Sequence, residues 1–447
     1  MLLVASRYRL LGCATVAALF LATAIPAQPA LSPPTAASHD VAVPGSELTV
    51  YLMTMGPGDE VWEKFGHNAI WIHDSVRNTD IAYNWGLFDF DAADFLPRFL
   101  RGDMRYSMGG FDKEGTLDSY RRANRSVWAQ ELNLTPAQRL SLDRFVEWNA
   151  LPENRYYDYD YFRDNCSTRV RDVLDRALAG VIQRATERAP SGSTYRSHTR
   201  RLTQDVPWVY LGTLLGLGHP VDRPVSRWEE MFLPVRLHDD ILGIRVTDAA
   251  GGSVPLVKSD TALFVSSRGP EPLEPATHMG AYLVAGMLVL LVSLLLRYVA
   301  GGGSDGARLS LLIVTGLWSF VAGILGTALA ALWAFTNHVY SYQNENLLQA
   351  NPLSLVLAIM ILASIRKRPP AAVGEGVVGS RTSSMGWLIA GVSLAGFALK
   401  ILPAFHQVNG EIIALMLPAH LGIALALGKS LPWRGGGKLP ETPATES

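Results

Sequence analysis

Arg163-Asp164-Asn165-Cys166-Ser167-Thr168-Arg169 is the stretch whose reading decides the exported half of this chain. Asn165 is a residue type that accepts hydrogen bonds from the free N–H groups of a helix start. Beyond it Val170, Val173, Leu174, Ala177 and Leu178 recur at helical spacing, so one helix face enters a core. Cys166 therefore stands in the first turn of a helix, where unpaired N–H groups and the helix dipole favour a thiolate. A thiol pKa below the ordinary value is the expectation that follows. A free cysteine is also often a small core hydrophobe, but here the flanking residues are polar and charged.

Outward from Cys166, about a hundred residues earlier, Phe65-Gly66-His67-Asn68-Ala69-Ile70-Trp71-Ile72 reads as a strand opening on a histidine. Gly66–His73 and Asp80–Gly86 form a hairpin around Asp74–Asn78, preceded by a strand at Leu48–Met55. The stretch from Leu117 to Asn149 reads as helical, with Thr135-Pro136 as a helix start. A histidine on a strand is more often structural than catalytic. Paired with a cysteine at a helix start, it gains a second reading, that of a base beside a nucleophile.

The rest of the chain says where this pair works. Hydrophobic residues make up 49% and charged residues 18% of 447, which is apolar for a soluble protein. A formal net charge of -1 gives no reason to expect nucleic acid as a partner. Arg7 and Arg9 precede an apolar run from Leu10 to Ile25 and the small-residue stretch Pro26–Ala30, so residues 1–27 read as a secretory signal peptide. Leu10-Leu11-Gly12-Cys13 looks like a lipoprotein cleavage box but lies too close to the arginines. Removal of Cys13 with the signal leaves Cys166 without a partner for an intramolecular disulfide: inert, bonded to another chain, or chemically used.

The composition changes near Pro275. Gly280–Val299, Leu309–Phe335, Leu347–Ile365, Met385–Leu402 and Ile412–Leu427 are five apolar segments, near the ~17–25 residues that span a bilayer. With the first domain outside, the inside loops hold nearly all the basic residues. The outside loops Thr336–Asn346 and Ala404–Glu411 hold none, although Lys400 lies at the outer end of the fourth segment. The expected division is signal peptide 1–27, exported domain 28–190, a subdomain or linker 191–278 with an interfacial reading open, transmembrane domain 279–430 and cytoplasmic tail 431–447. His338, Asn344, Glu345 and Asn346 in one outside loop, and His406, Gln407 and Asn409 in the other, read either as polar interfacial residues or as a docking place for lipid or the exported domain. Their spacing fits no dense metal-ligand motif.

Gly66-His67-Asn68-Ala69 on a hairpin followed by Asn165-Cys166-Ser167-Thr168 opening a helix resembles the circularly permuted papain-like (NlpC-type) superfamily. The chain is similar more closely to the Lnb family of membrane-bound lipoprotein N-acyltransferases, through Asn84-Trp85-Gly86, Trp228-Glu229-Glu230-Met231-Phe232-Leu233-Pro234 and Asn344-Glu345-Asn346-Leu347-Leu348. The resemblance implies an α+β fold: a permuted papain-like domain followed by an all-α bundle of five transmembrane helices in the bacterial inner membrane. It also implies a Cys166–His67 pair with a third polar residue on the second hairpin strand, Asn84 first and His73 second. The implied reaction moves an acyl chain from a phospholipid donor to the α-amine of a diacylated lipoprotein through a Cys166 thioester, with no metal or soluble cofactor. A membrane-anchored cysteine peptidase or amidase acting on cell-wall peptide is the rival, and a domain that has lost activity a third reading. General-base catalysis would make activity rise as His67 loses its proton near ~6.5, unless the pair is ionic.

Overall fold

A computed structural model describes residues 43–89, 91, 93–366 and 377–428. The expected signal peptide (1–27), most of the basic loop between the third and fourth apolar segments, and the expected cytoplasmic tail (431–447) lie outside the described residues. In chain order the elements are β1 (Leu48–Met55), β2 (His67–Asp74), β3 (Thr79–Leu87), α1 (Phe95–Arg101), β4 (Arg105–Asp112), α2 (Lys113–Arg122), β5 (Val127–Leu132), α3 (Pro136–Ala150), β6 (Tyr156–Asp158), α4 (Cys166–Ala177) and α5 (Val181–Thr186). They continue as β7 (Pro190–Thr194), α6 (Tyr195–Thr203), α7 (Pro207–Gly216), β8 (Pro224–Ser226), α8 (Arg227–Glu230), α9 (Pro234–Leu242), β9 (Arg245–Thr247), β10 (Ser253–Pro255) and β11 (Val257–Phe264).

The central sheet runs β11-β5-β1-β2-β3-β4-β6, each neighbouring pair antiparallel. Alternation along β1 and β2 sends Leu48, Val50, Leu52, Ile70 and Ile72 to one face, where Val170 and Leu174 of α4 and Leu142 and Val146 of α3 cover them. Removing such surface from water drives the packing. Thr135 caps α3, its hydroxyl accepting from Gln138 N while Gln138 returns a bond to the Thr135 N–H.

The helical reading of 117–149 fails in its middle. Asn124 turns the chain at φ +51°, and Val127-Trp128-Ala129-Gln130-Glu131-Leu132 then pairs with β1 on one side and β11 on the other. Its β-branched and aromatic start suits a sheet flanked on both edges, and that pairing overrides local helical periodicity. Residues 191–278 are likewise woven into the same body: β11 joins the sheet, and Met231, Leu237, Ile241 and Leu256 enter its core.

The membrane part consists of α10 (Met279–Gly301), α11 (Asp305–Phe335), α12 (Leu353–Arg366), α13 (Ser380–Ala398) and α14 (Gly410–Leu427). By length and composition five helices among the described residues can cross a membrane. α10 packs on α14 and α11 on α12. Gly422 lets α14 approach so closely that a Cβ there would lie 2.4 Å from Leu290 Cα. α7 packs among the outer ends of these helices: Tyr210 and Leu214 share a cluster with Ala322, Leu329, Ile412 and Met416.

Candidate functional site

The first turn of α4 is fixed from three directions. Asn165 Oδ1 accepts from the N–H groups of Ser167 and Thr168, both at 2.9 Å, and Thr168 Oγ1 accepts from Asn165 N at 2.8 Å. Asn165 Nδ2 donates to Tyr161 O (3.0 Å) and Phe232 O (2.9 Å), so the cap is held by the loop before it and by the segment after α8. Fully buried Ser167 places its hydroxyl 2.8 Å from Asn68 Oδ1 and 2.7 Å from Met231 O. Asn68 donates to Met53 O and Thr54 Oγ1 of β1. The residue after the cysteine is thus tied to the residue after the histidine.

His67 opens β2, and its Nε2 lies 3.0 Å from Asn84 Oδ1 on β3. The register pairs Asn84 with Ala69, so His67 stands two residues along on the same face of the sheet. Asn84 Nδ2 donates to Ala82 O at 3.0 Å, which leaves Oδ1 as the acceptor and puts the imidazole proton on Nε2. Nδ1 is then the unprotonated nitrogen, free to take a proton. His73 is elsewhere: its Nδ1 meets Asp80 Oδ1 at 3.1 Å, at the far end of a strand rising ~3.3 Å per residue. Of the two partners expected for His67, the structure brings Asn84 to it and not His73.

The electrostatics differ from the expectation of a thiolate. Cys166 and His67 keep some surface exposure but are densely surrounded by protein. Burial pushes the Cys166 thiol up to about 11, although backbone N–H groups of Asn68, Ser167 and Cys166 itself, with Arg125 beyond, favour the anion. Burial pushes His67 down to about 4, its bond to Asn84 opposing and Arg125 reinforcing the shift. A helix terminus stabilises an anion by only ~0.3–2 kcal/mol, too little against desolvation here. Burial therefore favours a neutral thiol at Cys166 and a neutral imidazole at His67. Sequence reasoning missed Arg125, a buried cation held by Gly56 O and Glu63 Oε1 at 2.9 Å each and lying 4.7 Å over the Tyr120 ring. Tyr120 in turn stacks 6.4 Å from the His67 ring. A buried arginine after a turn is a signal that a lone basic residue in a sequence does not give.

Residues 36–201 match the Lnb N-terminal periplasmic domain, and residues 282–371 match the Lnb transmembrane domain. Together the two matches cover more than half of the chain. This chain belongs to the Lnb family. Comparison with curated proteins and with solved structures found no match. An Lnb periplasmic domain joined to five apolar helices makes it a multi-pass inner-membrane protein with its N-terminal domain in the periplasm, and implies a lipoprotein N-acyltransferase-like membrane protein.

Two of the three segments that carried the resemblance to Lnb proteins hold part of the site. In Asn84-Trp85-Gly86, Trp85 is buried with Nε1 donating to Asn149 Oδ1 at 3.0 Å. Gly86 has φ +88°, and a Cβ there would lie 3.3 Å from Cys166 Cβ, so glycine suits the backbone and leaves room for the thiol. In Trp228–Pro234, Met231 and Phe232 receive the bonds from the start of α4, and the Trp228 ring lies 3.7 Å beneath the Arg171 guanidinium. Tyr157, nine residues before Cys166, ends with its hydroxyl buried beside Gly86 and Cys166.

The outer loops of this Lnb chain meet the periplasmic domain. Buried Asn344 and Asn346 donate to the Leu215 and Leu214 carbonyls at the end of α7, at 2.7 and 2.8 Å. Glu345 exchanges bonds with Gln407 and pairs with Lys400, and Asn409 donates to Asn346 at 3.0 Å. His406 Nδ1 lies 3.0 Å from His219 Nε2, and His338 Nε2 lies 2.9 Å from Phe99 O of α1. Glu411, nearly buried, accepts from Tyr210 Oη (2.9 Å), Arg200 (3.3 Å) and His278 N (2.6 Å). These residues fasten one domain to the other; the structure does not bring them to Cys166.

Proposed function

We propose that this protein transfers an acyl chain from a membrane phospholipid to the α-amine of a diacylglyceryl-cysteine lipoprotein, with Cys166 as nucleophile, His67 as base and acid, and Asn84 as the residue that orients the imidazole. The observation that carries the reading is the His67–Asn84 bond, which leaves Nδ1 as the acceptor, together with the approach of the Cys166 thiol to the N–H of Asn68, the residue after His67 in β2. Membership of the Lnb family and the permuted papain-like order of histidine before cysteine support it.

In the first half-reaction the Cys166 proton passes to His67 Nδ1 as Sγ attacks the donor's ester carbonyl. The charge that develops on the carbonyl oxygen is met by the Cys166 backbone N–H. The C–O bond breaks, His67 returns the proton to the departing lysolipid alkoxide, and a thioester remains. In the second half the lipoprotein amine attacks that thioester, gives its proton to His67, and the leaving thiolate recovers it. A neutral pair suits this order, because the nucleophile is ionised only as it reacts.

The test is intact-mass measurement of full-length protein mixed with phospholipid vesicles without acceptor. A mass gain of one acyl chain, removed by neutral hydroxylamine and missing in Cys166→Ala, is expected. Lysolipid release with no acyl gain on the wild type would overturn the thioester.

A further inference from the structure

The tyrosines before Cys166 belong to a closed circuit of rings that the mechanism above does not use. Phe88 lies 5.2 Å from Tyr106, Tyr106 stacks on Tyr159 at 4.1 Å, and Tyr159 meets Tyr161 at 6.0 Å. Tyr161 stacks at 6.4 Å on His338, which lies 6.1 Å from Phe99; Phe99 and Phe95 are 6.1 Å apart, and Phe95 returns to Phe88 at 6.2 Å. The circuit joins the loop after β3, helix α1, strand β4, the entry to α4 and an outer transmembrane loop. A core cluster fills its own centre, whereas along one arc of this circuit lies a cavity of about 610 Å³ whose wall includes Leu87, Phe88, Phe95, Phe99, Met104 and Tyr106. That volume is in the ~300–1,000 Å³ range of small-molecule sites.

Leu87 of the wall follows Gly86, where a Cβ would lie 3.3 Å from Cys166 Cβ, and Tyr106 of the wall stacks on the half-buried Tyr159. Helix α1, which supplies Phe95 and Phe99 to the wall, is tied to the outer end of α11. Asn337 N donates to Arg101 O at 2.6 Å and Asn337 Nδ2 to Asp103 Oδ1 at 2.6 Å, which holds α1 against the chain just past Phe335, the last residue of α11. Leu96 and Leu100, one helical turn apart on α1, are 61% and 59% exposed, and Phe335 at the end of α11 is 83% exposed. Apolar groups left bare next to a membrane span, with Arg98 and Arg101 on the same short helix, suit the boundary of headgroups and acyl chains. The lining is mixed rather than wholly apolar: it also holds Asp94, paired with Arg98, and Arg105 and Arg155, which lie 4.2 and 5.0 Å from the centre of the Tyr156 ring.

We propose that this aromatic circuit is the portal through which the acyl chain of an outer-leaflet phospholipid passes under α1 to reach Cys166. This inference rests on the acyltransfer reading for its occupant, and the rings act as positioning residues for the chain rather than as groups that touch the reacting carbonyl.

Full-length wild-type protein in phosphatidylethanolamine vesicles containing a phospholipid with a diazirine at the end of its acyl chain should, on illumination, carry adducts on peptides spanning residues 88–106 and 156–161. Adducts confined to the transmembrane helices would overturn the portal. In parallel, Phe99→Ala and Tyr106→Ala should slow acylation of Cys166 from vesicle phospholipid about tenfold or more, as misplacing a substrate does, while acylation by a soluble short-chain p-nitrophenyl ester changes less than about twofold. Equal losses with both donors, or none with either, would count against it. A wild type that is cross-linked in the portal but never acylated would reject the acyltransfer reading and leave the lipid path standing.

Discussion

At the residue scale the account turns on which nitrogen of His67 carries the proton. Asn84→Ala removes the bond that selects the Nε2–H tautomer, so kcat should fall about tenfold to hundredfold with little change in KM, within the range that general acid–base positioning supplies. A similar fall in thermal stability instead of kcat would mark Asn84 as structural. The pH profile tests the same group. Burial lowers His67 to about 4, so the base stays neutral, and the rate stays level, from above pH 5 through pH 8; it declines only as pH falls through about 4. The ordinary imidazole value places that limb near ~6.5, and a measured limb there would contradict the buried, neutral pair. Stability carries the same sign: the unfolded imidazole binds its proton first, so the contribution of neutral His67 is fully present above ~6.5 and is lost as pH falls toward 4. Asn84→Asp places a carboxylate against Nε2 and should move the acid limb upward.

At the element scale, the helix start at Asn165, the hairpin register that brings Asn84 to His67, and the apolar face of α4 were legible, because each is set within one helix or one hairpin. β5 was not: its strand character comes from neighbours β1 and β11, one of them more than a hundred residues further on. The thiol's environment was also hidden, since the dipole is local and readable while the burial that overrides it comes from segments far apart in sequence. Two substitutions test the local arguments. Asn165→Ala removes two cap bonds and two ties to flanking carbonyls, and should cost about 1–3 kcal/mol, read as a lower thermal midpoint. Gly86→Ala forces a Cβ into φ +88° and against Cys166, with strain of about 1–3 kcal/mol; activity should fall further than stability does. Retained activity in Gly86→Ala would show that the thiol has more room than the structure gives it.

At the scale of the whole molecule, the five apolar segments and their orientation were readable from composition and loop charge, and the contacts of both outer loops with the periplasmic domain agree with that orientation. What composition could not supply is how the outer-loop polar residues are spent. Asn344 and Asn346 hold the end of α7, and Glu411 gathers Arg200, Tyr210 and the His278 N–H where the domain meets the bundle. Glu411→Ala strips a nearly buried ion pair of its acid and should cost about 3–5 kcal/mol, seen as faster proteolysis between the periplasmic domain and α10. Acylation from vesicle lipid should weaken with it, while acylation by a soluble ester persists, because Cys166 and His67 are built within the periplasmic domain.

The most direct measurement is mass spectrometry of lipoprotein N-terminal peptides from a host depleted of its own N-acyltransferase and expressing either the wild-type chain or Cys166→Ala. Triacylated peptides with the wild type and diacylated ones with the variant are predicted. Diacylated peptides in both, with good expression, or Cys166-dependent cleavage of cell-wall peptides in their place, would contradict the account.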